Sequence, residues 1–336
     1  MYSKCIAVAV FCSAAVFGQA DNPLIVSAGY SAPVQVSVAP GQIITFFVSG
    51  IGRSLSQKVT AGSDSLPKSL AGISATLQQA SRQVATPLVE VRPVSTCSPF
   101  PQVTCGTFTA VTVQVPFELV EQIPGNFSAP LPAMLTIAEN GSPGGVVQLN
   151  PVADQIHVIK ACDLLAFTDF AYSCDPFVAH ADGSLVSAGN PARGGEALVL
   201  YAFGLGRTTP VVATGEPTPN PGPTRRPYPL DFAFRLNALP SQPKPFPRAP
   251  DGSIVITGPA SFFAGMTAGS VGLYQVNLVV PTVPDGLAPC DVRPVGAGAF
   301  QVKSNLTVSI GGVTPSAGSP APRSYWLHAS QDSVGR

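Results

Sequence analysis

The chain has 336 residues, of which 45% are hydrophobic and only 11% charged, and 18 basic side chains balance 18 acidic ones to a net charge of zero. Its 32 glycines and 36 prolines would suit disorder, but a disordered chain also needs few apolar residues and a large net charge. The balance excludes a disordered polyelectrolyte and removes the basic footprint that nucleic-acid or anionic-membrane binding requires.

Residues 1–20 read as a secretory signal peptide. Lys4 supplies the positive start, Ile6 to Phe17 form an apolar core too short to span a bilayer, and Gly18-Gln19-Ala20 places small residues before a cut after Ala20. The expected destination is the periplasm, the cell surface or the medium, with no membrane insertion after cleavage. Phe11 before Cys12 argues against a lipoprotein site. Cleavage removes Cys5 and Cys12 and leaves Cys97, Cys105, Cys162, Cys174 and Cys290. In an oxidising compartment the two close pairs predict disulfides Cys97–Cys105 and Cys162–Cys174. The shorter loop would stabilise by roughly 2–3 kcal/mol on the chain-entropy account. Cys290 is left free, bridges chains, or displaces a member of the second pair.

Gly41 to Gly52 is an organising stretch: a glycine turn, a buried strand, and a Gly-x-Gly exit at Gly50 and Gly52, followed by Arg53. A second copy lies 154 residues on, with Gly195, Gly204, Gly206 and Arg207 in the same places. Self-similarity at domain-sized spacing predicts two copies of one fold. Residues 70–83 fit either a helix or a strand; Gly72 and the alternation Ile73, Ala75, Leu77 favour the strand. Leu88 to Val91 predicts another short strand, followed by a Pro/Cys insertion over 93–106. Val111 to Val115, ending at Pro116, alternates apolar and polar residues and matches Tyr274 to Val280, ending at Pro281. Leu135 to Ile137 before Asn140-Gly141 likewise matches Leu306 to Ile310 before Gly311-Gly312, and the alternating stretch around Phe232 matches residues 70–83.

Between the halves, 155–160 closes the first and 162–174 is an insertion. Asp182-Gly183 reads as a two-residue hairpin turn. Residues 216–258 hold eleven prolines and predict an exposed, stiff excursion. The organisation expected is therefore a signal peptide (1–20), a first domain (21–159), a second (160–314) and a disordered tail (315–336). The fold class expected is all-β.

Several of these motifs resemble the Solibacter-type C-terminal domain of unknown function, a family found in secreted acidobacterial proteins. The resemblance rests on Asp182-Gly183-Ser184-Leu185, Asn190-Pro191-Ala192, Gly195-Glu196 with the strand through Gly206, Ala213-Thr214-Gly215, Gly272 to Asn277, and Ser304-Asn305 with the strand to Gly312. The upstream half is similar to the domain that usually precedes it, through Pro40-Gly41, Gly50 and Val113 to Glu118. It covers roughly residues 23–313 and implies two tandem immunoglobulin-like β-sandwiches. The family brings no activity, so it implies a fold and leaves function open.

Catalytic constellations are missing from the pattern. His157, His180 and His328 fall in separate segments without a metal-ligand partner at usable spacing. Ser270, in Ala268-Gly269-Ser270-Val271-Gly272, lacks the first glycine of a nucleophile elbow. Asp169 with Asp175, and Glu118 with Glu121, read as solvated strand ends, and Gly204-Leu205-Gly206 lacks the third glycine of a dinucleotide site. No cofactor or metal is expected. Asp163, Asp169, Asp175 and His180 cluster around the 162–174 insertion and are the first place to seek an overlooked site. The function expected is a non-catalytic extracellular binding or adhesion module whose partner is a glycan or another extracellular protein. A structural spacer is the alternative, and an enzyme with an unrecognised loop site is a third. Tyr228, Phe232, Phe234 and Phe246 are read as core anchors first and as a stacking surface second.

Overall fold

The computed structural model describes residues 24–28, 36–62, 64–98, 104–121, 131–160, 176–225, 227–234, 259–287, 291–296, 299–303, 305–310, 323–327 and 329–330, an all-β arrangement with no helix among them. Residues 1–20, read as a signal peptide, residues 161–175, Phe246, Cys290 and His328 lie outside the described residues.

The upstream half contributes β1 (Leu24–Ala28), β2 (Val36–Val38), β3 (Ile43–Ser49), β4 (Val59–Thr60), β5 (Ser69–Leu70), β6 (Ile73–Gln79), β7 (Arg82–Thr86), β8 (Leu88–Ser98), β9 (Thr104–Gln114), β10 (Ala133–Glu139), β11 (Ser142–Pro151) and β12 (His157–Val158). One sheet has the order β1-β3-β9-β8-β4; another runs β2-β11-β10-β6-β5, with β7 also on β6. The downstream half contributes β13 (Val178–Ala179), β14 (Ala192–Arg193), β15 (Ala197–Phe203), β16 (Leu230–Phe234), β17 (Phe263–Met266), β18 (Tyr274–Val279), β19 (Asp291–Gly296), β20 (Ala299–Lys303), β21 (Leu306–Ile310), β22 (Arg323–Leu327) and β23 (Ala329–Ser330). Here one sheet runs β12-β15-β18-β17 with β13 also on β15, a second runs β16-β21-β22, and β14-β23 and β19-β20 are pairs.

The repeated stretch folds the same way twice. Shifting β3 by 154 residues lands on β15 end to end. All six matched glycines sit at positive φ: 77°, 80° and 64° for Gly41, Gly50 and Gly52, and 80°, 78° and 80° for Gly195, Gly204 and Gly206. That region penalises a Cβ, so only glycine occupies it cheaply. The partner strands keep register too, since Ile43 faces Gln114 and Ala197 faces Val279. Both alignments place a proline two residues beyond the last paired residue, at Pro116 and Pro281, where no ladder donor is needed. The turn into each strand is also shared. Gly41 N donates to Val115 O (2.9 Å) and Gly195 N to Val280 O (2.8 Å), while Val115 N returns to Gln42 O and Val280 N to Glu196 O.

Alternation buries one side of β6 and of β18. β6 turns Ile73, Ala75 and Leu77 inward, and β18 turns Tyr274, Val276 and Leu278 inward. One buried cluster is drawn from residues 36–149, with Phe46, Leu88, Val111 and Leu135 among its members. A second is drawn from 156–310, including Leu198, Leu200, Tyr274 and Val308, but it also takes in Phe117 from the upstream half.

The 70–83 stretch is strand, as its alternation favoured, running from the end of β5 through β6 into β7, with Ala80 at φ 52° in the turn between β6 and β7. Several local readings change. The 93–106 insertion extends the β8–β9 hairpin and sets Cys97 opposite Cys105. Residues 155–160, read as the close of the first half, supply β12 to the downstream sheet, where His157 faces Phe203; Ile156 and Val158 bury there, and apolar burial outweighs chain proximity. The proline-rich excursion is not wholly exposed, because Thr218, Tyr228 and Leu230 are buried. The 315–336 segment, read as a disordered tail, contains β22 paired with β21 and β23 paired with β14.

Candidate functional site

The outward faces of β15 and β18 form a grid of side chains, because every second residue of a strand points away from the core. Phe177 lies beside Tyr201, whose backbone N donates to Phe177 O (3.3 Å), and Tyr201 faces Gln275, which faces Gly265. The next row runs Ala179, Val199, Asn277, Phe263. Gln275 Nε2 donates to Asn277 Oδ1 at 3.5 Å, a long bond that leaves most of the two amides' capacity unused. At one end of the grid an open apolar pocket of about 260 Å³ is lined by Ile159, Phe177, Ala179, Gly183, Leu185, Tyr201 and Leu273.

The wall carrying Gly183 and Leu185 is a turn held by side chains. His180 N donates to Ser184 O (2.8 Å), so the turn spans three intervening residues rather than two, with Gly183 at φ 85°. Three-residue connections of this kind commonly place one residue in the left-handed region. Asp182 Oδ1 accepts from Ser184 N (2.9 Å) and Ser184 Oγ (2.7 Å), and these bonds hold its carboxyl below the usual value. Asn190 Nδ2 donates to Ser184 Oγ and to Leu185 O.

His180 is buried beneath this turn. Its Nδ1 is 2.6 Å from Glu196 Oε1 and its Nε2 is 3.1 Å from Asn190 O. A carboxylate and a carbonyl only accept, so making both bonds requires both ring nitrogens to carry protons. Burial opposes that charge, but the hydrogen bonds to Glu196 and Asn190 and the negative charges of Glu196 and Asp182 outweigh it and raise the pKa above the ordinary histidine value. The other oxygen of Glu196 accepts from Arg193 N (2.9 Å). The ring has no lone pair to take a proton from a substrate while both bonds stand.

Other residues singled out in the sequence are dispersed. His157 is buried in β12. Ser270 Oγ donates to Thr267 O (2.6 Å) within its own turn. Glu118 accepts from Thr214 Oγ1 (2.6 Å), while Glu121 pairs with Arg207 at 3.0 Å. Tyr228 is buried, and Phe232 and Phe234 pack against the downstream core, as the anchor reading has it. Asp163, Asp169, Asp175, Cys162 and Cys174 lie outside the described residues. Among the described residues no three His, Cys, Asp or Glu side chains group as a metal site, and no helix is long and apolar enough to cross a membrane.

Two arrangements had no signal in the sequence. The His180–Glu196 pair joins residues 16 apart through a turn, and only its Glu lay in a recognised motif. The second is a buried knot at the junction of the halves. Arg225 Nη1 donates to Leu205 O, its Nη2 contacts Asp154 at 3.2 Å, and its guanidinium lies 5.4 Å from the Tyr228 ring centre. Tyr274 Oη donates to Gly206 O at 2.7 Å beside it, and burial pushes both phenols up. Every polar tip in this knot has a protein partner, so it reads as a fastening.

A scan of the chain against protein-family models finds no match, and a search among curated proteins finds none.

Proposed function

We propose that this protein is a secreted, non-catalytic extracellular binding module. In this reading the upstream and downstream halves are two tandem immunoglobulin-like β-sandwiches, as the resemblance to the Solibacter-type domain implies, with β12 and β22 counted in the downstream one, and the partner is a glycan or another extracellular protein. The observation that carries the proposal is the outward grid of β15 and β18. It sets aromatic rings beside underused amides next to an open apolar pocket, the mixture that ligand sites use. Absence of catalysis is supported by His180, whose two ring nitrogens are both committed to acceptors. The test is a glycan array and a cell-envelope pull-down with the full chain and with Tyr201→Ala. Binding that the substitution removes is the expected result; a chain that retains nothing from either source overturns the reading.

The register of β8 and β9 supports the first proposed disulfide. Residues directly opposite in an antiparallel pair have Cα atoms about 4.5–5.5 Å apart, inside the span a disulfide bridges. Peptide mapping without reductant should recover Cys97 joined to Cys105. Recovery of Cys290 joined to Cys162 or Cys174 would overturn the second pair, Cys162–Cys174.

The spacer alternative draws on the contacts between the halves. Gly215 N donates to Gln114 Oε1 (2.6 Å), Leu66 N to Gly215 O (2.8 Å), and Phe117 N to Thr214 Oγ1 (2.9 Å). A pair fastened in this way would serve a spacer as well as a binder, and the Tyr201→Ala comparison separates them.

A further inference from the structure

We infer that the outward face of β13, β15, β18 and β17 is a stacking platform for a neutral glycan, an assignment that rests on the binding-module reading above. The face combines two chemistries in adjacent rows. Phe177 and Tyr201 give neighbouring aromatic surface on β15 and the segment paired with it, and Phe263 closes the far end of the next row. Gln275 and Asn277 stand between those rings on β18.

A sugar ring matches this pattern. Its C–H face is apolar and packs on an aromatic ring, while its hydroxyls both donate and accept, as a carboxamide does. The grid from Phe177 and Ala179 through Tyr201, Val199, Gln275 and Asn277 to Phe263 contains no Asp, Glu, Lys, Arg or His. An acidic polysaccharide would find no cation there to offset its desolvated charge. The two carboxylates of the flanking turns are already engaged, Glu196 by His180 and Arg193 N and Asp182 by Ser184 N and Oγ. The pocket of about 260 Å³ is of the order of a small-ligand site.

The upstream half supplies an internal contrast. The outward face of β6 and β10 presents Ser74, Thr76, Gln78, Met134 and Thr136, with hydrogen-bonding groups but no aromatic ring. Hydrogen-bonding capacity alone is common on an exposed sheet; the rings with interleaved amides set the downstream face apart.

The test is affinity electrophoresis of the full chain through gels holding xylan, mixed-linkage β-glucan or galactomannan, with polygalacturonate and alginate as acidic controls. The expected result is retardation in at least one neutral gel and none in the acidic ones. Tyr201→Ala should weaken that retardation about tenfold, Gln275→Ala should weaken it less, and Tyr201→Phe should keep most of it. Unchanged circular dichroism and melting would show that the variants fold. Retardation in no neutral gel, or retardation that survives Tyr201→Ala, overturns the assignment. Retardation only in acidic gels, or a protein partner lost with Tyr201→Ala, sinks the neutral-glycan assignment and leaves the binding reading standing. Loss of both kinds of partner sinks the two together.

Discussion

The two copies of the organising strand share a backbone and differ in what they do with it. Gln42 and Glu196 occupy the same place 154 residues apart, and each side chain accepts a hydrogen bond at 2.9 Å from the backbone N three residues earlier, Ala39 or Arg193. In the upstream copy the cap is an uncharged amide that is itself buried. In the downstream copy it is a carboxylate whose second oxygen is free to hold His180. Phe47 and Tyr201 also correspond. Phe47 is buried with Val94 and Ala110, whereas Tyr201 stays half-exposed at the edge of the pocket. One scaffold thus carries a sealed aromatic position in one copy and an open one in the other. The turn is dictated by backbone geometry, and the chemistry is set by the one or two side chains the turn leaves unspent.

Breaking the shared backbone should have the largest effect. Gly206 lies at φ 80°, and a Cβ there would run into the carbonyl oxygen of Ala153. Gly206→Ala should therefore cost about 4 kcal/mol, read from the denaturant midpoint, because the strained conformation and the backbone clash add. A cost below about 1 kcal/mol would mean that the junction yields easily.

Next in size is the contact that makes the halves unequal. Phe117 comes from the upstream half but buries in the downstream core. Phe117→Ala should cost about 3 kcal/mol. It should also speed hydrogen exchange at β18 as well as β9. Acceleration confined to β9 would show that the halves are energetically separate, as two independently melting fragments, 21–160 and 160–314, would.

The carboxylate and amide caps differ in their response to pH. His180 has a raised pKa when folded, so its pairing with Glu196, Asn190 O and the nearby Asp182 is fully present below the ordinary histidine value of 6.5 and is lost as pH rises through the higher folded value. Glu196→Gln gives the downstream cap the upstream chemistry and should flatten the fall in stability over the range above about pH 6.5. A wild-type chain whose stability is level across that window would show that His180 is not held as the imidazolium.

The smallest effect is expected where the shared turn has room. Gly195 has φ 80° but nothing within 4 Å of an added Cβ, so Gly195→Ala should cost only about 1 kcal/mol of backbone strain. A cost equal to that of Gly206→Ala would remove steric approach as the reason the two glycines differ.

Local chemistry was enough for much of this architecture. The glycines at 41, 50 and 52 and their partners at 195, 204 and 206 announce positive φ, since other residues adopt it at a penalty. The strands ending at Pro116 and Pro281 could be aligned with the first pair because a proline cannot extend a ladder. Alternation in Ile73 to Leu77 settled strand over helix. These signals live within a few residues of one another. The register that faces Cys97 with Cys105 was only suggested by their closeness in the chain, and the hairpin supplied it.

Tertiary packing decided the rest, because it depends on which distant segments cover which surface. Nothing in Pro116-Phe117-Glu118 says that the phenyl ring will bury in the other half, and nothing in the proline-rich excursion says that Arg225 will turn inward to meet Asp154. The 323–327 segment, weakly patterned by itself, pairs with β21 because that edge is present to receive it. Whether an aromatic on an outward strand position is sealed or open depends equally on its neighbours in space, which is why Phe47 and Tyr201 look alike in sequence and differ in the fold. Backbone conformation is a local free energy that single residue types can dictate; burial is a sum over partners brought together from far along the chain, and only the folded structure names them.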